Sequence, residues 1–212
     1  PGSNDLLGRI ERKFMELTLV NDAARAVHLL GLALGFGVAI VADLSAARTI
    51  VRPLTWSEIE TLERYHRMVA VGLTLFWASG LVLLWLRTGF DPENFSPKLI
   101  AKLGVVSLLT FNAVLIGKIG LTAIEEWEGA RFGDLPMMER LRLGALAGLS
   151  GAGWISALSL GVFSTLKTVD WPILSELIGM IYLVGLIGAL TIAFAAPLVC
   201  FVQDRQAHRY GH

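Results

Sequence analysis

The sequence predicts an all-α membrane protein with five transmembrane helices. They are expected as one leading helix plus two related helical hairpins, preceded by an N-terminal amphipathic helix at the membrane interface. Three observations carry this. Hydrophobic residues make up 54% of the 212 and the mean hydropathy is +0.62, too apolar for a soluble domain of this size. Five apolar runs, near residues 26–47, 67–87, 99–119, 142–165 and 173–203, each reach the ~20 helical residues that cross a hydrocarbon core of about 30 Å. The ten-residue alternating segments of a membrane β-barrel are absent from the sequence.

The elements follow in order. Residues 1–25 form the amphipathic segment: Leu6, Leu7, Ile10, Phe14 and Leu17 recur at helical spacing, opposite Arg9, Glu11, Arg12, Lys13 and Glu16. That pattern suits a helix lying on the membrane surface, or equally a solvated cap on the bundle. Its polar character ahead of any long apolar run argues against a cleavable signal peptide. Residues 26–203 hold the five spans, and 204–212 form a polar tail. The connections "RPLTWSEIETLERYHR", "RTGFDPENFSPK", "EEWEGARFGDLPMMER" and "KTVDWP" carry turn-forming Pro, Gly, Asp and Asn. The last run is longer than a span needs, so it is expected to emerge from the bilayer or kink at Pro197.

A repeat is also expected. "ERYHRMVAVGLTLFWASGLVLLWL" resembles "ERLRLGALAGLSGAGWISALSLGV", with Trp77 opposite Trp154 and Ser79 opposite Ser156. Residues 63–119 and 139–197 would then be parallel copies of one hairpin. Lys102, Asn112 and Lys118 in the first copy face Met180, Leu190 and Ala196 in the second. Chemistry is therefore expected among the first three helices, with the second hairpin as scaffold or a dimer surface.

Charge bounds the function classes. Lys plus Arg and Asp plus Glu are both 18, so no net field recruits nucleic acid, and no nucleic-acid partner is expected. The expected partners are the lipid bilayer and a second copy of the chain. Cys200 alone gives neither a disulfide framework nor a thiolate cage. With the N-terminal segment left out, Lys and Arg concentrate at the end that holds the C-terminus, which points to a cytoplasmic C-terminus. No nucleophile motif, phosphate loop or HExxH pattern is present, so nothing argues for an enzyme.

Polar residues inside apolar helices are the candidate ligand or ion site: His28, Asp43, Lys102, Asn112 and Lys118, with His28 and His66 as candidate metal ligands. A charge at mid-helix costs about 2.5–3.5 kcal/mol even on the lenient insertion scale. His28 and Asp43 lie fifteen residues apart, about 22 Å of helix, and so belong to opposite ends of the bundle. His28 and Lys102 fall near the N-terminal end; Asp43, His66 and Lys118 fall near the other. Between them helix one presents Gly31, Gly35, Ala39, Ala42 and Ala46, a bare row that admits a neighbouring helix or a ligand. Each polar residue also has a plainer reading: a headgroup contact for His28, an ion pair with Arg48 or Arg67 for Asp43, snorkelling for the lysines, and helix-to-helix bonding for Asn112.

"VHLLGLALGFGVAI", "RYHRMVAVGLTLFWASGLVLL" and "SPKLIAKLGVVSLLTFNAVL" together resemble small bacterial membrane proteins related to the copper-resistance D group. The likeness lies in a histidine-led first helix, a Ser-Gly in the second and a Lys at the head of the third. It implies an inner-membrane protein with a metal or haem connection. There is no methionine-rich motif or cysteine pair suited to Cu(I). Three function classes follow. The first binds or transports a small ion, metal or proton through a polar cleft among helices one to three. The second is a haem b electron carrier, with His66 and His208 as the one conceivable histidine pair. The third is a non-catalytic membrane subunit.

Overall fold

The computed structural model describes residues 2–210. The expected five helices are present, each long and apolar enough to cross a membrane. They are α1 (Gly2–Arg48), α2 (Trp56–Thr88), α3 (Pro97–Leu115), α4 (Met137–Val162) and α5 (Trp171–Tyr210). The third span is prolonged by a π-turn at Ile116–Gly120 and a last α-helical stretch, Leu121–Glu126. Local chemistry sets the ends. Thr55 and Glu58 form a capping box on α2, and Gly89 closes that helix in the left-handed conformation at φ 63°. Ser96 caps α3, with Pro97 in its first turn.

Two expected boundaries dissolve. The surface helix over residues 1–25 and the first span are one unbroken helix, α1. Likewise the polar tail continues α5 as far as Tyr210, straight through Pro197. The side chains of Leu6, Leu7, Ile10 and His208 lie outside the described residues.

The packing order also departs from a leading helix plus two like hairpins. The intimate pairs are α1 with α2 and α4 with α5; α3 leans on α4 and scarcely touches α2. Glycine explains both tight pairs. A Cβ on Gly31 would lie 2.8 Å from the Phe76 nitrogen, and one on Gly72 would lie 2.7 Å from the Gly35 nitrogen. A Cβ on Gly148 would lie 2.8 Å from the Gly185 oxygen. Backbones at this distance exclude any side chain between them. Trp77 and Trp154, aligned in the sequence, have unlike surroundings. Trp77 donates from Nε1 to Thr110 Oγ1 at 2.9 Å, whereas Trp154 is fully buried and lies against Gly35 and Phe36.

The α1–α2 pair therefore meets the α3–α4–α5 group at a waist built from Ala39, Leu73, Leu109 and Trp154, with Leu32, Phe36, Val69 and Ala113 around them. At the end holding the C-terminus the two groups are laced by backbone bonds. Leu54 N–H donates to Ala130 O, Gly129 N–H to Leu54 O, and Phe132 N–H to Thr49 O. Arg131 bridges Asp134 and Asp204 there, and the two carboxylates hold its guanidinium pKa up. At the N-terminal end the joint is looser.

The glycine contact has a direct test. Gly72→Val should push α1 and α2 apart and cost about 1–3 kcal/mol, as overpacking does. Gly188→Val, at a position where an added Cβ meets nothing within 4 Å, serves as the control. Thermal unfolding in a neutral detergent, followed by tryptophan fluorescence, should show a clearly lower midpoint for Gly72→Val alone; equal midpoints would refute the contact.

Candidate functional site

Because the two helix groups touch at the waist and diverge from it, a cavity opens on either side. The larger, of about 1090 Å³, lies at the N-terminal end among α1, α2, α3 and α4. The smaller, of about 410 Å³, lies at the opposite end. These cavities sort the candidate residues.

His28 and Lys102 both line the larger cleft, as their positions in the sequence predict. The imidazole is held firmly. It stacks on Phe76 with ring centroids 3.9 Å apart, and Nδ1 lies 3.1 Å from both Phe76 O and Ser79 Oγ. A carbonyl oxygen only accepts, so Nδ1 carries the proton and donates. The Ser79 hydroxyl in turn donates to Leu75 O at 2.6 Å, which leaves its lone pair for Nδ1–H. In the neutral ring Nε2 is consequently the basic nitrogen, free to take a proton or meet a ligand. Gly80 makes room for the ring: a Cβ there would lie 3.3 Å from His28 Cε1. The Ser-Gly of helix two thus shapes the histidine of helix one.

Around this centre the cleft is basic. Arg25, Arg87 and Lys167 join His28 and Lys102 on its lining, and no carboxylate lines it. Lys102 has Lys98, Arg87 and Lys167 as its electrostatic neighbours. Lys98 is buried and spends its ammonium on Phe163 O, which ties α3 to the α4–α5 connection. Arg25 has a loose, exposed partner in Asp22 at 3.9 Å. Arg87, Lys102 and Lys167 have no ion pair among the described residues. Beneath and between the charges the walls are apolar: Leu29, Leu32, Phe76, Leu103 and Val106. Arg87, Lys98 and Lys167 were not singled out by sequence reasoning; as arginine and lysines at helix ends they look like ordinary interfacial anchors.

Asp43 and His66 line the smaller cavity, whose other walls are almost wholly apolar. Asp43 forms no ion pair with Arg48 or Arg67 among the described residues. His66 packs against the π-turn of the third span: a Cβ on Gly117 would lie 2.8 Å from its Nε2. π-turns recur at functional sites, and the glycine spacing of "IGKIG" is its one trace in the sequence.

The remaining candidates do not join either group. Lys118 is exposed and lines neither cavity, the position of a snorkelling lysine. Asn112 is buried in the α3–α4 contact, where Nδ2 donates to Leu146 O at 3.0 Å while Oδ1 has no partner. It ties α3 to α4 and lines neither cavity. His28 and His66 cannot share one metal ion or one haem iron. Ser79, which bonds His28, stands thirteen residues from His66 on the same helix, about 20 Å of rise. Among the described residues no group of three His, Cys, Asp or Glu is placed to hold a metal ion.

A scan against protein-family models, a search of curated proteins and a search of solved structures each return no match.

The hydrogen-bond assignment at His28 is checked by nitrogen NMR of ring-labelled protein in detergent micelles, at a pH where the ring is neutral. Nδ1 should resonate as a protonated, pyrrole-type nitrogen and Nε2 as a pyridine-type one. Ser79→Ala should keep that tautomer, through Phe76 O, while costing about 1 kcal/mol of stability. The reverse pattern of nitrogen shifts would overturn the assignment.

Proposed function

We propose that this protein is an ion-binding membrane protein, and that the ion taken up at the N-terminal end of the bundle is an anion. One observation supports the reading above all: five basic side chains, Arg25, His28, Arg87, Lys102 and Lys167, line a single cleft that no carboxylate lines. Two like charges ~10 Å apart repel by about 1.7 kcal/mol at an effective dielectric of ~20. A bound anion turns that repulsion into attraction at several partners at once. With Nδ1 held by Phe76 O and Ser79, the Nε2 of His28 is the ring nitrogen that can take a proton and donate to an anion.

The basic lining supports an anion in place of the cation, metal or proton of the small-ion reading. It sits with the expected bacterial inner-membrane location. A metal at His28 is less well supported, since the ring's nearest polar neighbours are a carbonyl, a hydroxyl and a lysine.

Two probes of equal chain length and opposite charge test the sign. Octyl phosphate should raise the thermal midpoint of the protein in a neutral detergent, by the ordinary linkage of binding to stability. Octyltrimethylammonium should leave it unchanged. The rise should largely vanish in the double variant Lys102→Gln, Arg87→Gln, whose replaced side chains have no hydrogen bond to lose. Equal effects of the two probes, or a full rise in the double variant, would overturn the reading.

A further inference from the structure

We infer that the occupant of the basic cleft is an anionic bilayer lipid: a phosphate-bearing headgroup held by the cations, with its acyl chain on the apolar wall. The inference rests on the anion reading and narrows it to one class of molecule.

Three features of the cleft support a lipid over a small dissolved anion. The first is size. At about 1090 Å³ the cleft exceeds the ~300–1,000 Å³ of sites for small molecules. The second is the order of chemistry along its depth. α1 and α2 run antiparallel, with Gly31 against Phe76 and His28 against Ser79. Arg87 therefore lies toward the mouth, two helical turns outward from His28, while Leu32 and Phe76 lie at the deep end. Lys98 stands one turn nearer the start of α3 than Lys102, and Lys167 belongs to the α4–α5 connection. Arg87, Lys102 and Lys167 thus form a cationic level with Leu32, Phe76 and Val106 below it, the order of a headgroup above an acyl chain, while Phe14 and Leu17 add apolar surface toward the N-terminus.

The third feature is lateral access. Leu29 and Leu81, on the cleft lining, are 64% and 44% exposed. α2 and α3 are bridged by the Trp77–Thr110 bond and otherwise meet at few points. A chain enters from the bilayer without leaving apolar surroundings. Headgroup recognition by clustered Lys and Arg between helices follows the same physics as other anionic-lipid sites.

The test uses the full chain in a neutral detergent, supplied with equal amounts of dioleoyl phosphatidic acid and dioleoyl phosphatidylcholine and read by native mass spectrometry. Wild type should retain phosphatidic acid over phosphatidylcholine by roughly tenfold, the worth of one or two charge-assisted hydrogen bonds. Lys102→Gln with Arg87→Gln should bring the ratio near one. Gly161→Leu tests the wall separately: Gly161 lines the cleft, and a Cβ there meets nothing within 4 Å. Its side chain should fill chain space and lower phosphatidic acid retention without unfolding the protein. Inorganic phosphate should fail to displace the bound lipid. A ratio near one in wild type, or displacement by phosphate at comparable concentration, overturns the lipid inference. If octyl phosphate still stabilises wild type but not the double variant, the anion reading stands; if it does not, both fall.

Discussion

The contact on which this architecture depends is the backbone-to-backbone approach of α1 and α2 through Gly31, Gly35 and Gly72. Within a bilayer, helices gain little by burying leucine against leucine, because lipid offers the same contact. What holds a pair together is close van der Waals fit, and glycine permits the closest. Once α1 and α2 are zipped this way they behave as one block, and Gly144, Gly148 and Gly185 make a second block of α4 and α5. Two blocks plus α3 must then meet across a narrower surface, at Trp154 and its neighbours. Clefts on either side of that waist are what geometry leaves when two stiff pairs touch along a short stretch.

The same constraint places the charges. His28 is turned by α2, through Phe76 and Ser79, to the flank of the α1–α2 block that faces the other group. Lys102 comes to it from α3, and Lys167 from the connection after α4. Among the described residues no carboxylate lines that cleft, although the chain carries as many acids as bases. Several acids are committed to structural bonds: Glu58 caps α2, Asp134 and Asp204 clamp Arg131, and Asp91 caps the turn after α2. Each is spent on a structural bond. The basic residues of the cleft, by contrast, include three with no ion pair among the described residues, and that asymmetry is the strongest functional signal in the molecule.

Much of this was legible beforehand. Span number and position follow from hydropathy, because apolar length is a direct physical requirement of crossing a bilayer. The pairing of His28 with Lys102, and of Asp43 with His66, follows from counting residues from each helix end. Which helices would pack was less legible. Likeness between "FWASG" and "GWISA" suggested equivalent hairpins, yet composition alone makes two Leu/Ala/Gly helices look related. The better signal was spacing: Gly31–Gly35 and Gly144–Gly148 both keep the four-residue interval of close-packing helices, and each marks a pair that forms. Asn112 was legible only in part. A mid-span amide announces that it needs a partner, but the sequence does not say whether the partner is a ligand or a backbone carbonyl. The π-turn at Ile116–Gly120 leaves no trace beyond two glycines.

The separation of the two cavities bears on how a ligand would move. Between the level of His28 and that of Asp43 stand Trp154, Leu73, Leu109 and Ala39, all buried, while Gly35 is closed off by the Trp154 ring itself. A polar path through this layer would need water beside side chains that offer it no hydrogen bonds, and an ion there would lose its hydration without replacement. Passage across the waist therefore demands that the α1–α2 block move relative to α3–α5, withdrawing Trp154 from Gly35. At the end opposite the basic cleft, the loop bonds of Thr49 and Leu54 with Gly129, Ala130 and Phe132, and the Cys200 thiol donating to Ile50 O, join the two groups.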